Sequence, residues 1–210
     1  LVAGPNDVTF SPSGPPVAGL AAARFRVSSA GNLAATGLAP DGEVEDHLMQ
    51  LGVTAQFDFG DAPATFPVTL AQDGPRHLLP SVLHLGSGVD AETNGVSSGS
   101  ADADDLRDSD DEDGVAFTGT WAVNRTGTVA VTASAAGLLS AWFDFDRGGT
   151  WDITELVLLD IPVSAGVNNL DVPIPPGASP GMVDARFRVS TSGAVGLTGE
   201  APDGEVEDHQ

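Results

Sequence analysis

The sequence contains no cysteine and no lysine among its 210 residues. Without cysteine, neither disulfides nor thiolate metal sites can stabilise the fold. A domain outside the cell then needs a well-packed core or another kind of cross-link. We expect that cross-link to be a hard metal ion bound by oxygen ligands. The basic side chains are eight arginines against 30 acidic residues, and the formal net charge is -22.

This charge restricts the classes of partner. Nucleic acids bind basic patches, so a strongly acidic surface excludes them, and it also disfavours anionic membranes. No apolar run approaches the ~20 residues needed to cross a bilayer. The acidic residues are concentrated in clusters along the chain. Clustering favours cation sites over the evenly acidic surface of a salt-adapted protein, although the lack of lysine also fits a halophilic source.

The segment APDGEVEDH occurs twice, at residues 39–47 and 201–209, with an offset of 162 residues. A period of this length is that of a domain, so each copy can bury its own core. We therefore interpret residues 1–48 as the C-terminal part of a preceding repeat. One full repeat follows, with an acidic, loop-rich part at residues 49–113 and a β-sandwich part at residues 114–210.

Strand patterns dominate the full repeat. Residues 185–189 alternate apolar side chains with arginines, which is the period of a strand with two different faces. The apolar run at 155–163 predicts a central strand covered on both faces, whereas the prolines within 171–175 predict an edge strand. The roughly six or seven short strands after residue 114 predict an all-β fold with an immunoglobulin-like β-sandwich. We expect the part before it to bind calcium.

Residues 144–155, DFDRGGTWDITE, follow the spacing of the twelve-residue calcium loop. The predicted ligands at positions 1, 3, 7, 9 and 12 are Asp144, Asp146, the Thr150 carbonyl, Asp152 and Glu155. Position 5 is Gly148 instead of aspartate or asparagine, so one ligand is missing and we expect weak affinity. The flanking residues indicate strands, so we predict the loop without an EF-hand domain. The alternative is a polar turn between two strands.

Other acidic residues are further candidate ligands for calcium. In the acidic run at residues 101–114, like charges repel and need cations to come together, although such runs are often only solvated. We predict ligands where the run meets the following apolar residues, at Asp110, Asp111 and Asp113. Two weaker pairs, which could equally be turn residues and caps, are Asp58 with Asp61 and Asp90 with Glu92.

The GEVEDH segment at residues 204–209 has a simpler explanation. Glu205 and Glu207 share one face of a strand, and the two arginines of residues 185–189 share a face of a strand that could pair with it. Cross-strand pairs of arginine and glutamate explain both motifs without a metal. Asp208 falls on the opposite face, where a carboxylate needs a partner. We therefore predict Asp208 as a ligand, together with Asp203 in the preceding turn.

These motifs together resemble the GEVED-domain family of bacterial extracellular proteins. The pieces that carry the resemblance are DFGDAP at 58–63, RH at 76–77, LGSGVDAE at 85–92, DEDGVAF at 111–117, WFDFDRGGTWD at 142–152, ARFRVS at 185–190 and APDGEVEDH at 201–209. The resemblance implies a β-sandwich module of large secreted or cell-surface proteins, often in multiple copies and associated with adhesion or matrix. It implies no catalytic activity.

Taken together, these features predict a non-enzymatic, calcium-stabilised structural module of a repetitive extracellular protein. It would serve as a stalk, an adhesin or a filament subunit, with neighbouring repeats or identical subunits as partners. The alternative is a carbohydrate-binding module for surface glycans that uses Trp121, Trp142 and Trp151. Because the chain has no tyrosine and only 6% aromatic residues, we expect at least Trp142 to pack in the core instead.

Overall fold

The computed structural model describes residues 4–6, 19–51, 55–103 and 111–210. The chain divides into two compact units, residues 1–54 and 55–210. Among the described residues there are strands and two short 3-10 turns, and none forms a helix long and apolar enough to cross a membrane. The fold is therefore all-β, as the sequence predicts.

The described part of the first unit is an antiparallel hairpin. Strand β1 (Gly19–Val27) pairs with β2 (Glu43–Leu51), so that Arg24 lies opposite Asp46 and Phe25 opposite Glu45. The loop between the strands is held by the arginines, which donate to backbone carbonyls of residues 34–37. These strands carry the first copy of the repeated segment.

The second unit contains the other ten strands of the described residues. In chain order they are β3 (Gln56–Phe59), β4 (Arg76–Leu79), β5 (Val115–Thr118), β6 (Thr126–Ala133), β7 (Gly137–Phe143), β8 (Leu156–Val163), β9 (Gly166–Pro173), β10 (Ala185–Ser190), β11 (Glu200–Ala201) and β12 (Glu205–His209). The 3-10 turns are η1 (Leu70–Gln72) and η2 (Ile153–Glu155).

Two sheets of this unit form a seven-stranded sandwich. One has the strand order β12-β10-β7-β8 and the other β5-β6-β9. Alternate residues of the strands point between the sheets, and Val129, Leu139, Phe143 and Phe187 are among the fully buried side chains of this core. The sandwich prediction is confirmed. The arginine-containing strand β10 and the GEVEDH strand β12 are antiparallel neighbours in it, as the sequence suggests.

The outer face of the four-stranded sheet is also covered. A third sheet, of order β11-β4-β3, belongs to the same unit. Ala62, Phe66 and Val68 from the segment between β3 and β4 pack against Trp142 and Trp151. The Phe66 and Trp151 rings stack with centroids 3.8 Å apart. Residues 55–103 of the loop-rich part therefore belong to the same compact unit as the sandwich.

Two strand predictions had different outcomes. The prolines of 171–175 do mark an edge, because β9 is the outer strand of its sheet. The apolar run at 155–163 was wrongly predicted as a central strand, since β8 is also an edge strand and Leu159 is 59% exposed. An apolar run alone therefore shows neither that both faces of a strand are covered nor that the strand has neighbours on both edges.

Candidate metal centres and the strand that joins them

The loop at residues 144–155 connects β7 with β8 and ends in the turn η2, so strands and not helices frame it, as predicted. Asp144 accepts hydrogen bonds from the backbone N–H groups of Gly148 and Gly149, at 2.8 and 2.9 Å. Asp146 accepts a second bond from Gly148, at 2.7 Å. Gly149 has a φ of 72°, which glycine adopts without steric cost. These bonds fold the loop back onto its first residue.

The folded loop brings together three of its predicted ligands. Carboxylate oxygens of Asp144, Asp146 and Glu155 all lie within 4.8 Å of one another. Asp144 is 2% exposed and Glu155 6%. One Glu155 oxygen, Oε2, accepts from the Asp152 N–H at 2.9 Å, whereas Oε1 is buried without a hydrogen-bond partner. Positions 1, 3 and 12 of the loop thus form a compact set of oxygen ligands.

The electrostatics of this set are unfavourable without a cation. Burial raises the pKa of Glu155, and the negative charges of Asp144, Asp146 and Asp152 raise it further. A buried carboxylate oxygen without a donor costs free energy, because it has lost its bonds to water. A divalent cation would offset both the repulsion and the missing donor.

The other two predicted loop ligands lie outside this group of three. Asp152 is exposed and caps the turn η2, accepting bonds of 2.6 Å from both the N–H and the hydroxyl of Thr154. These bonds lower the pKa of the Asp152 carboxyl. Thr150 lies in the same loop and is exposed. Both therefore stay predictions as ligands.

Strand β12 carries a row of buried acidic side chains. Asp208 forms a bidentate ion pair with Arg186 and also accepts from the Ala62 N–H at 2.8 Å. Glu205 and Glu207 lie on the other face, opposite Val189 and Phe187. The predicted pairs between glutamate and arginine are therefore wrong. The arginines lie on the same face of the sheet as Asp208. The ion pair with Arg186 already explains why Asp208 is buried, and its role as a ligand stays a prediction.

The two glutamates of β12 accept bonds from loop backbones instead. Glu205 Oε2 accepts from the Leu85 N–H, and Glu207 Oε1 accepts from the Gly114 N–H at 2.8 Å. Glu207 Oε2 is 3.0 Å from the His209 ring. Burial raises the pKa of both glutamates. This face of β12 thus binds Leu85 of the loop-rich part and Gly114, the first residue of the sandwich part.

Residues 138–210 match the GEVED domain family. The matched segment begins in β7 and therefore includes the loop at 144–155 and the whole of β10 and β12. The family resemblance is confirmed over this stretch, while the motifs between residues 58 and 117 lie outside it. No significant match was found among curated proteins or among solved structures.

The second arginine of β10 is also buried, with 1% of its surface exposed. Arg188 Nε donates to His77 Nε2 at 2.9 Å, so the other ring nitrogen, Nδ1, carries the proton and donates to the Asp203 carbonyl at 2.7 Å. Burial and the Arg188 charge hold the pKa of His77 well below its usual value. Burial lowers the pKa of Arg188 to about 9. The motif RH at 76–77 thus supplies a neutral acceptor for an interior arginine.

A second acidic group forms in the loop-rich part. Asp58, Glu92 and Asp111 come together, with carboxylate oxygens within 4.8 Å of one another. The Asp90 N–H donates to Asp111 at 2.9 Å. Burial, the Asp90 carboxyl and the charge of Asp58 raise the pKa of Glu92 to about 10. One residue from each predicted pair thus lies beside the end of the acidic run.

The remaining predicted ligands that the structure describes do not belong to this group. Asp110 falls outside the described residues. Three others accept hydrogen bonds from backbone amides: Asp61 from Ala103, Asp113 from Ser87 and Asp203 from Thr191. These bonds hold turns and loops in place. A ligand role for the three residues stays a prediction.

Glu205 is the functional candidate that the sequence reasoning set aside. Its side chain is 1% exposed, and its Oε1 is buried without a hydrogen-bond partner. The negative charges of Asp58 and Asp111, both buried, act on it. The register of β10 and β12 shows that Glu205 faces away from the arginines. A two-residue periodicity in the sequence does not show which face of the partner strand a side chain meets.

Proposed function

We propose that this chain is a non-enzymatic, calcium-stabilised structural module of a repetitive extracellular bacterial protein, which serves as a stalk, an adhesin or a filament subunit. The observation that carries the proposal is the set of Asp144, Asp146 and Glu155, in which a buried Glu155 oxygen has no donor. The GEVED match over residues 138–210 supports a module of this family.

Calcium is the cation that best fits the loop. The candidate ligands are all oxygens, which suit calcium and magnesium, and magnesium requires a stricter octahedral geometry and retains its waters. Two unit charges of like sign ~4 Å apart repel by roughly 4 kcal/mol at an effective dielectric of 20. An ion that binds only the folded state adds about 2.7 kcal/mol at 100 times its dissociation constant. For a site of about 0.1 to 1 mM affinity, as in extracellular modules, this gain is reached at roughly 10–100 mM calcium.

The repeated hairpin supports a role in assembly. In β10 and β12, Phe187 and Val206 are 0% and 2% exposed, but the equivalent Phe25 and Val44 of the hairpin β1–β2 are 49% and 54% exposed. The register of the two copies is the same. We infer that neighbouring repeats or identical subunits cover the hairpin, by strand sharing or by packing.

No observation on the described residues favours the carbohydrate-binding alternative. Trp142 and Trp151 are 5% and 7% exposed and pack against Ala62, Phe66 and Val68. Trp121 packs with its ring edge against Phe117, and its N–H donates to the Thr118 carbonyl. A sugar platform needs exposed ring faces, so these tryptophans support packing.

Thermal melting of the whole chain in calcium, in magnesium and in EDTA tests the proposal. We expect calcium to raise the melting temperature by roughly 5–10 °C at 100 times its dissociation constant. Magnesium should have less effect. Glu155→Gln should lose most of the gain, because it removes one charged ligand from the loop. Asp171→Asn, at an exposed position of β9, is the matched control and should keep it. Equal melting temperatures of the natural chain in calcium and EDTA would contradict the proposal.

A further inference from the structure

We propose a second, interior calcium site formed by Asp58, Glu92, Asp111 and Glu205. This inference rests on the proposed function, since it assumes the same ion. Three of these residues offer carboxylate oxygens within 4.8 Å of one another. Oxygens that bind one calcium ion at about 2.3–2.6 Å can be no more than roughly 5 Å apart. The separation of the three therefore suits a single ion.

The fourth residue, Glu205, lies outside the group of three within 4.8 Å and gives the independent evidence for a ligand. It comes from β12 and is 1% exposed, and its Oε1 has no hydrogen-bond partner. It lies close enough to Asp58 and Asp111 for their charges to act on it. Glu92 Oε1 is likewise buried without a hydrogen bond. Two glutamates on which the charge of Asp58 acts thus each have a carboxylate oxygen that lacks the donor a buried acceptor requires.

Backbone N–H groups hold all four carboxylates in place. In each case one oxygen accepts a bond, and the donors come from segments that the site would join. Asp58 Oδ2 accepts from Val206 at 2.7 Å, Glu92 Oε2 from Phe59 at 2.8 Å, Asp111 Oδ2 from Asp90 at 2.9 Å, and Glu205 Oε2 from Leu85. Bonds of this kind orient metal ligands.

The proposed ion has a structural role distinct from that of the loop at 144–155. Its ligands belong to β3, to the segment after β4, to the end of the acidic run and to β12. These four segments are far apart in sequence, so a shared ion would cross-link the loop-rich part of the repeat to the sandwich. The site would also explain why the first glutamate of GEVEDH is enclosed in the interior of the unit.

The first copy of the motif offers a matched control. Glu43 is the equivalent of Glu205 in the hairpin β1–β2, where it lies opposite Val27 as Glu205 lies opposite Val189. Glu43 is exposed. Replacing either glutamate by glutamine makes the same chemical change in nearly the same local sequence, but only one of them lies in the proposed site.

Titration of the whole chain with calcium by calorimetry tests the site. We expect Glu205→Gln and Glu92→Gln each to lose one bound calcium, or to weaken one class of site at least about tenfold, relative to the natural chain. Glu43→Gln should bind like the natural chain. The use of two variants covers the case in which one of them fails to fold, which circular dichroism detects. Unchanged number and affinity of calcium ions in both folded variants would overturn the inference.

A further variant separates this inference from the proposed function. Asp144→Asn removes a ligand of the loop and should abolish a different binding event, leaving the interior one. If Asp144→Asn loses an ion while Glu205→Gln and Glu92→Gln lose none, the interior site is wrong and the loop site stands. If the natural chain binds no calcium, both are overturned. Loss of an ion in the interior variants alone supports this site and contradicts the loop.

Discussion

Arg186 and Asp208 form a bidentate ion pair in which both side chains are 0% exposed. The bonds from Arg186 Nε and Nη2 to the two carboxylate oxygens are each 2.7 Å. The guanidinium also lies over the Trp151 ring, 4.7 Å from its centroid. Buried pairs with additional bonds are costly to break, because the remaining charge is left without a partner.

Removing the charge of Asp208 should therefore destabilise the second unit strongly. We expect Asp208→Asn to lower the free energy of unfolding by about 3–5 kcal/mol. Urea denaturation followed by tryptophan fluorescence measures this, because all three tryptophans lie in residues 55–210.

The hairpin β1–β2 provides the control for this prediction. Arg24 and Asp46 make the same pair, but their side chains are 46% and 60% exposed. Asp46→Asn should leave the fluorescence transition unchanged, since exposed pairs are screened by solvent. An equal loss of stability in both variants would contradict the account of the buried pair.

Gly204, the first residue of the GEVED motif, should not tolerate a side chain. Its φ is 94°, and a Cβ atom there would collide with the Val189 carbonyl oxygen. The clash is with backbone, which cannot move aside like a flexible side chain. Gly204→Ala should cost about 1–3 kcal/mol from the backbone strain alone, with the clash adding to this. Urea denaturation measures it, and Gly177→Ala, at an open position, is the control. If Gly204→Ala is as stable as that control, this explanation of the glycine is refuted.

The carboxyl of Glu205 predicts an unusual pH dependence in the presence of a chelator. Burial and the charge of Asp58 raise its pKa well above the usual 4.5. A carboxyl with a raised pKa stabilises the fold fully below pH 4.5, where both states are protonated, and that contribution is lost as the pH rises towards the pKa of the folded state. We therefore expect Glu205→Gln to become more stable than the natural chain in EDTA as the pH rises from 4.5 to about 8.

Calcium should reverse the order of stability of the natural chain and Glu205→Gln. At neutral pH and with calcium in excess, the natural chain gains the binding free energy that Glu205→Gln loses, so it should become the more stable of the two. Urea denaturation at several pH values, with and without calcium, gives both comparisons. If Glu205→Gln is less stable than the natural chain in EDTA at about pH 8, the carboxylate is stabilising without metal and the interpretation fails.

Local patterns in the sequence predicted the parts of the structure that depend on local geometry. The alternation of apolar residues placed the core side of β10 correctly, and the loop spacing predicted the group of Asp144, Asp146 and Glu155. The two copies of the motif, 162 residues apart, form strand pairs of identical register.

The parts that sequence reasoning missed depend on contacts between distant segments. Alternation assigned Asp208 and the glutamates to opposite faces of β12, but the arginines were matched to the wrong face because alternation does not fix the register between strands. The group of Asp58, Glu92 and Asp111 combines three segments that had been considered separately. No spacing rule connects them, since the fold alone brings these segments to one point.

The most direct test of calcium binding is a crystal structure of the chain grown in millimolar calcium, with an anomalous difference map. The account predicts a density peak about 2.3–2.6 Å from carboxylate oxygens of Asp144, Asp146 and Glu155. A well-defined map that shows only water beside these three side chains in a calcium-replete crystal would contradict it.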